Sequence, residues 1–108
     1  AEVDATSTGA RQGLWDLVLG RTRLSSRRLA AAVCGTLKEE LRVRCTVKSA
    51  RFAVLREARM PSVLVEVGYV SNRAESERLS REAYRRAAAR AIARGIVSYV
   101  RALGTRHI

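Results

Sequence analysis

Glu66 is the residue in this chain best placed to do chemistry. It stands in Met60-Pro61-Ser62-Val63-Leu64-Val65-Glu66-Val67-Gly68-Tyr69-Val70-Ser71-Asn72, one carboxylate inside an otherwise strand-like run. Val63, Leu64 and Val65 do not alternate with polar residues. The pattern therefore predicts a strand covered on both faces, as in a parallel sheet interior. Pro61 suits the first strand position, where a missing N–H costs least, and Gly68 lets the chain turn after the acid. An unpaired carboxylate in such a place costs several kcal/mol. Glu66 thus needs a partner, a metal or an opening to solvent. Sites in open α/β sheets form at the carboxyl ends of strands. Glu66 is accordingly expected at the C-terminal end of a central strand, with its carboxylate facing a cleft.

The other chemically capable residues are few. Cys34 and Cys45 are too few and too far apart for a zinc pair or a CxxC redox motif. Cys34 falls on the apolar stripe of a helix, which favours a small buried hydrophobe over a disulfide to Cys45. The single histidine, His107, lies near the C-terminus without a second histidine to share a metal, and reads as a tail residue.

Around these residues the elements can be read in order. Residues 1–13 carry Thr6, Ser7, Thr8, Gly9 and Gly13 with little periodicity, and are expected to be a flexible lead-in. Residues 14–108 form the folded part. Leu14 to Leu19 is apolar enough to pack as either a short helix or a strand. Ser25 or Ser26 is placed to cap a helix bearing Leu29, Ala30, Val33, Cys34, Leu37 and Leu41 at three- and four-residue spacing. Phe52 to Leu55 and Pro61 to Val67 read as two buried strands. Asn72-Arg73-Ala74-Glu75 reads as a capping box, with Glu75 reaching back to the cap, ahead of a helix through Leu79. The last helix has Tyr84, Ala88, Ile92, Ile96, Tyr99 and Leu103 on one side. Arg86, Arg90, Arg94 and Arg101 share another, solvated face, and Gly95 is expected to permit close packing. Two strands do not make a stable sheet alone, so further strands must come from Val18 and its neighbours or from elsewhere.

Composition bounds the partners. A chain of 108 residues, 47% hydrophobic and 29% charged, suits one small soluble domain. No apolar run approaches the roughly 20 residues that span a bilayer, and no basic-then-apolar leader opens the chain, so an export signal would have been removed or lie outside it. The formal net charge is +11, and 19 of the 21 basic residues are arginine. That charge would attract nucleic acid, an anionic polymer or a membrane surface alike. Aromatic content of 5%, with no base-stacking pattern among the arginines, argues against nucleic acid.

Phe52-Ala53-Val54-Leu55-Arg56, then Pro61-Ser62-Val63-Leu64-Val65-Glu66, Gly68, an aromatic at Tyr69, and Ser71-Asn72 with Glu75 stand together in one stretch. In this they resemble the C-terminal half of the zinc-dependent N-acetylmuramoyl-L-alanine amidases, bacterial enzymes of cell-wall peptidoglycan. The helices from Ser25 to Leu41 and from Ile92 to Tyr99 are similar to the family's, so the resemblance covers roughly Leu14 to Leu103. It implies an α/β fold with helices packed on a mixed sheet in three-layer fashion, present here as an incomplete domain, the C-terminal part of a catalytic domain. It implies cleavage of the amide between a lactyl group and L-alanine, with a periplasmic or extracellular location. It also implies a zinc held by two histidines and a glutamate, which lowers the pKa of bound water towards ~7, with the Glu66 position handling the proton.

The chain departs from that pattern in its metal ligands. The family's ligands lie upstream, in a His-Gly-rich turn, a helix glutamate and a Ser-x-His stretch, and none of these motifs is present. Glu2 and Asp4 do not replace them, so no zinc is expected on this chain alone. Three readings follow: a fragment of an amidase whose zinc-binding half lies upstream or on another chain, an amidase-like domain that binds the wall or a partner without cleaving, and an arginine-rich nucleic-acid binder. The retained Glu66 favours the first.

Overall fold

A single long helix, α1 (Gly13–Leu41), is the spine against which every other layer is placed. The structure, a computed structural model, describes residues 2–6, 13–50, 55 and 58–106. Along α1 the residues Leu29, Ala30, Val33, Cys34 and Leu37 are buried, the three- and four-residue spacing that makes one apolar stripe. The helix begins well before Ser25, and it takes in Leu14 to Leu19, for which helix and strand had equal claim. Ser26 is not its cap. It is fully buried in mid-helix, and its Oγ accepts a hydrogen bond from the Ser62 backbone N–H at 2.9 Å. That bond ties α1 to the entry of the strand that carries Glu66.

Three strands pack with it: β1 (Glu2–Thr6), ahead of it in the chain, and β2 (Thr46–Ala50) and β3 (Val63–Glu66) after it, in the spatial order β2-β1-β3. β1 runs parallel to β2 and antiparallel to β3, so the sheet is mixed. This is an α/β arrangement of helices on a mixed sheet, an incomplete domain. Two expectations are corrected here. Glu2–Thr6 is not a flexible lead-in but the central strand of the described sheet; residues 7–12 lie outside the described residues. β3 is not a parallel interior strand. It pairs antiparallel with β1 at one side of the described sheet, and all four of its residues are half-buried. Its unbroken apolar run arises because Val63 and Val65 pack on the core cluster, while Leu64 on the opposite face is itself only partly exposed. Of the strand expected over Phe52 to Leu55, residues 52–54 lie outside the described residues, and Leu55 is buried but lies in a 3₁₀ turn rather than a strand.

Cys34 and Cys45 form a disulfide, with Cα atoms 5.5 Å apart, where a buried free thiol was expected. Eleven residues of continuous helix would separate them by about 16 Å. The helix instead ends at Leu41, and Arg42 adopts a left-handed conformation with φ 54°. Its N–H still bonds to the Lys38 carbonyl at 3.0 Å. This is a helix-ending reversal that glycine usually makes, and it folds the chain back so that Cys45 meets Cys34.

Two helices complete the fold, α2 (Arg73–Leu79) and α3 (Glu82–Arg106). α3 lies along α1. A Cβ on Gly95 would come 2.6 Å from the Val33 Cα, so only glycine allows this approach. Beside it the Thr36 hydroxyl donates across the interface to the Ala91 carbonyl at 2.6 Å. The inward stripe of α3 is Ala88, Ala91, Gly95 and Tyr99, with Ile92 and Leu103 against the cluster. Ile96, expected inside, is 43% exposed, because the close contact at Gly95 rotates it towards the rim.

Candidate functional site

The sheet register brings Glu66 opposite Glu2. These two residues are paired positions on the antiparallel strands β3 and β1, so both carboxylates leave the same face of the sheet, away from the Val63 and Val65 side. Lys48 on β2 reaches diagonally across to Glu2, with Nζ 3.0 Å from Oε2. On the far side the Tyr69 hydroxyl donates to Glu66 Oε2 at 3.0 Å. The cluster thus holds a Lys48–Glu2 ion pair and a Tyr69–Glu66 hydrogen bond.

Electrostatics at this cluster follow from those contacts. The Lys48 ammonium bonded to Glu2 holds that carboxyl below the usual carboxylate range, against an opposing desolvation. The Tyr69 phenol is pushed above its ordinary value of 10.0, first by its hydrogen bond to the Glu66 carboxylate and then by the negative charges of Glu2 and Glu66. A carboxylate pair on one face, with an ammonium at one end and a phenol at the other, can accept, hold and return a proton at Glu66 Oε1 or Oε2.

The turn after Glu66 is set by local chemistry. Gly68 has a φ of 159° and packs under Leu79 of α2. Asn72 is extended and its Oδ1 accepts from the Glu75 N–H at 3.0 Å, the expected N-cap. The reciprocal half of the capping box differs: Glu75 Oε2 accepts from the Tyr69 N–H at 3.4 Å rather than from Asn72. Asn72 N–H bonds instead to the Tyr69 carbonyl at 3.0 Å, so the glutamate turns to the next unsatisfied donor upstream.

One residue past Glu66 a cavity of about 350 Å³ opens, walled by Arg42, Arg44, Val67, Glu75, Arg78 and Tyr84 among others. Glu66 itself is not in that wall. Among the described residues no three His, Cys, Asp or Glu side chains converge to hold a metal. Cys34 and Cys45 are committed to each other, and His107 lies outside the described residues. The donors present here do not fit zinc.

A family profile described as N-acetylmuramoyl-L-alanine amidase matches residues 3–98 of the chain. The chain belongs to this amidase family. It is 38% identical over 91 residues to the N-acetylmuramoyl-L-alanine amidase AmiA of Salmonella typhimurium, covering 82% of this chain and 31% of that protein. It is 41% identical over 76 residues to the Bacillus subtilis protein YqiI, covering 69% and 37% respectively. Among solved structures, N-acetylmuramoyl-L-alanine amidase AmiC2 of Nostoc punctiforme matches with a TM-score of 0.69 at 31% identity, over 93% of this chain and 48% of that one. The chain thus spans about a third of the length of these curated relatives and about half of the solved amidase.

Within the amidase fold, sequence reading located Glu66 at a strand end and Asn72 at a cap. It did not join Glu2, Lys48 or Tyr69 to Glu66, because that grouping depends on the β1 register. Nor did it find the arginine cavity, whose walls come from the α1–β2 turn, α2 and α3. The Arg86, Arg90, Arg94 and Arg101 row on α3 is exposed. Arg86 pairs with Glu82 at 2.9 Å and Arg94 with Glu40 on α1, so part of the row buttresses the helix pair.

Proposed function

We propose that this chain is the C-terminal part of a cell-wall amidase domain, acting on the amide between the lactyl group of N-acetylmuramic acid and L-alanine. In that hydrolysis water oxygen bonds to the carbonyl carbon, the C–N bond breaks, and the departing amine takes up a proton. Glu66 is the group that carries the proton from water to nitrogen. The observation that supports this most is the contact at Glu66: the Tyr69 hydroxyl donates to its Oε2 at 3.0 Å, beside the Glu2–Lys48 ion pair. Glu66 is thereby held in place by a neutral group and keeps the capacity to exchange a proton.

The zinc that the family resemblance implies would be held by residues outside this segment, completed upstream or by another chain. A location outside the cytoplasm is supported by the buried Cys34–Cys45 disulfide, which persists in oxidising compartments. No helix among the described residues is long and apolar enough to cross a membrane. The net charge of +11 suits an anionic wall polymer. Family membership leaves the nucleic-acid reading without support.

The test is to compare the isolated chain with the same chain substituted for the matching half of Nostoc AmiC2. Alone, it is expected to bind zinc no better than micromolar and to release no peptide from peptidoglycan. The joined protein is expected to gain metal and activity together. Stoichiometric zinc with wall-lytic activity from the isolated chain would overturn the partial-domain reading.

A further inference from the structure

Glu66 does not stand alone on its face of the sheet. Its partner in the antiparallel register is Glu2, and Cβ atoms in such a pair lie about 4.5–5.5 Å apart on one face. Like charges set directly opposite one another destabilise a sheet, so a second glutamate here works against the fold. Lys48 offsets it. Its Nζ lies 3.0 Å from Glu2 Oε2, with the lysine side chain 60% and the glutamate side chain 20% exposed. An ion pair so open to water adds little to stability. Folding therefore gains little from bringing these charges together, and the residue beside them is Glu66.

The lysine is delivered by a strand that is fastened to α1. Cys45, immediately before β2, is bonded to Cys34 of α1. Ser49, next to Lys48 and on the opposite face of β2, accepts at its Oγ from Arg27 Nη2 of α1 at 2.8 Å. Ser49 thus holds β2 against α1 while Lys48 is presented to Glu2. Further ionisable groups belong to the same elements. The Tyr69 phenol bonds to Glu66, Glu75 accepts the Tyr69 N–H, and Asp4 stands opposite Lys48 in register. The α-amino group at residue 1 also acts on Glu2.

A negative neighbour favours the neutral form of a carboxyl group, and a positive one favours the charged form. Glu2 and Lys48 therefore pull on Glu66 in opposite senses. Tyr69 shows the same opposition: its hydrogen bond to Glu66 raises the phenol most, the Glu2 charge raises it further, and the Lys48 charge lowers it. We propose that Glu2 and Lys48 are positioning residues for Glu66, Glu2 favouring uptake of a proton there and Lys48 favouring its release. One acid can then take the proton from water and pass it to the departing amine. This assignment rests on the proton-handling reading of Glu66.

Two measurements test it. In the full 108-residue chain, carbon-13 NMR of the glutamate carboxyl groups follows an acid titration, with Glu66→Gln assigning the Glu66 signal. Relative to the parent, Glu2→Gln should move the Glu66 midpoint down and Lys48→Met should move it up. Each shift should be about half a pH unit or more, the scale for unit charges ~5 Å apart in water. Lys48→Arg keeps the charge and should restore the parent midpoint. In the chain joined to the matching half of Nostoc AmiC2, the acid limb of the pH–rate profile should move in the same two directions. KM, zinc content and melting temperature should stay as in the parent. A merely structural ion pair would act alike in both variants, because each loses the same bond. Shifts in one direction, or no shift, in Glu2→Gln and Lys48→Met overturn the proposal. Midpoints that move while the rate profile stays put overturn it as well. A Glu66→Gln variant that keeps its rate defeats the proton-handling role and this proposal with it. One that loses its rate while the Glu2 and Lys48 variants keep the parent profile defeats this proposal alone.

Discussion

Breaking the Cys34–Cys45 bond should cost this domain about 3 kcal/mol. Both sulfurs are buried, with the residues 4% and 5% exposed, and as free thiols they would still pack as small hydrophobes. The loss therefore resides mainly in the unfolded chain, which regains the freedom of the closed loop. With a sequence separation of 11, loop-closure entropy gives about 2.8 kcal/mol at room temperature. In a domain of this size, with about 4–8 °C per kcal/mol, the melting midpoint should fall by roughly 10–20 °C. The assay is thermal unfolding followed by far-ultraviolet circular dichroism, with and without reductant, alongside a count of free thiols. The double variant Cys34→Ala with Cys45→Ala serves as a second route to the same loss. A midpoint unmoved after both thiols are shown to be free would refute the reasoning, since the loop would then contribute nothing to stability.

Gly95→Ala places a methyl group within 2.6 Å of the Val33 Cα. The Cβ would meet backbone rather than a flexible side chain, so overpacking towards the upper end of about 1–3 kcal/mol should outweigh a helix-propensity gain of about 1 kcal/mol, and urea denaturation should show a net loss of up to roughly 2 kcal/mol; an equally stable or more stable variant would show that α1 and α3 can separate at no cost. The Tyr69 phenol should titrate above 10.0 in an ultraviolet difference titration of the parent against Tyr69→Phe. Because its folded value is raised, the stabilisation is fully present below the unfolded value and is lost as pH rises through the folded one. Glu66→Gln should return Tyr69 towards its ordinary range, and a Tyr69 titration that ignores Glu66 would sink the hydrogen-bond assignment.

How much of this was legible in the sequence differs from element to element. The segment from Val63 to Leu79 announced itself, because an apolar run, a glycine turn and an Asn cap each have a local cause. Glu2–Thr6 and Thr46–Ala50 did not. Their residues are Glu-Val-Asp-Ala-Thr, which alternates over only five residues, and Thr-Val-Lys-Ser-Ala, which does not alternate cleanly; they are strands because β1 pairs with β2 on one side and with β3 on the other. Ser26 looked like a helix cap because a serine at the head of an apolar stripe usually is one; only the distant Ser62 N–H explains it as a buried acceptor. The disulfide was hidden for a related reason. The reversal that closes it occurs at Arg42, where no glycine marks the helix end. The same holds for the site: Glu66 was visible as a charge out of place, whereas Glu2, Lys48 and Tyr69 join it only through register and turn geometry.

The central claim is that Glu66 handles the proton and does not hold the metal. The most direct test is Glu66→Gln in the joined protein, with amidase rate and zinc content measured on the same sample. Loss of a positioned acid–base group is expected to lower the rate by about 10²–10⁴-fold, with zinc content and melting temperature nearly unchanged. A variant that retains its rate, or that loses its zinc along with its activity, would contradict the role assigned to Glu66.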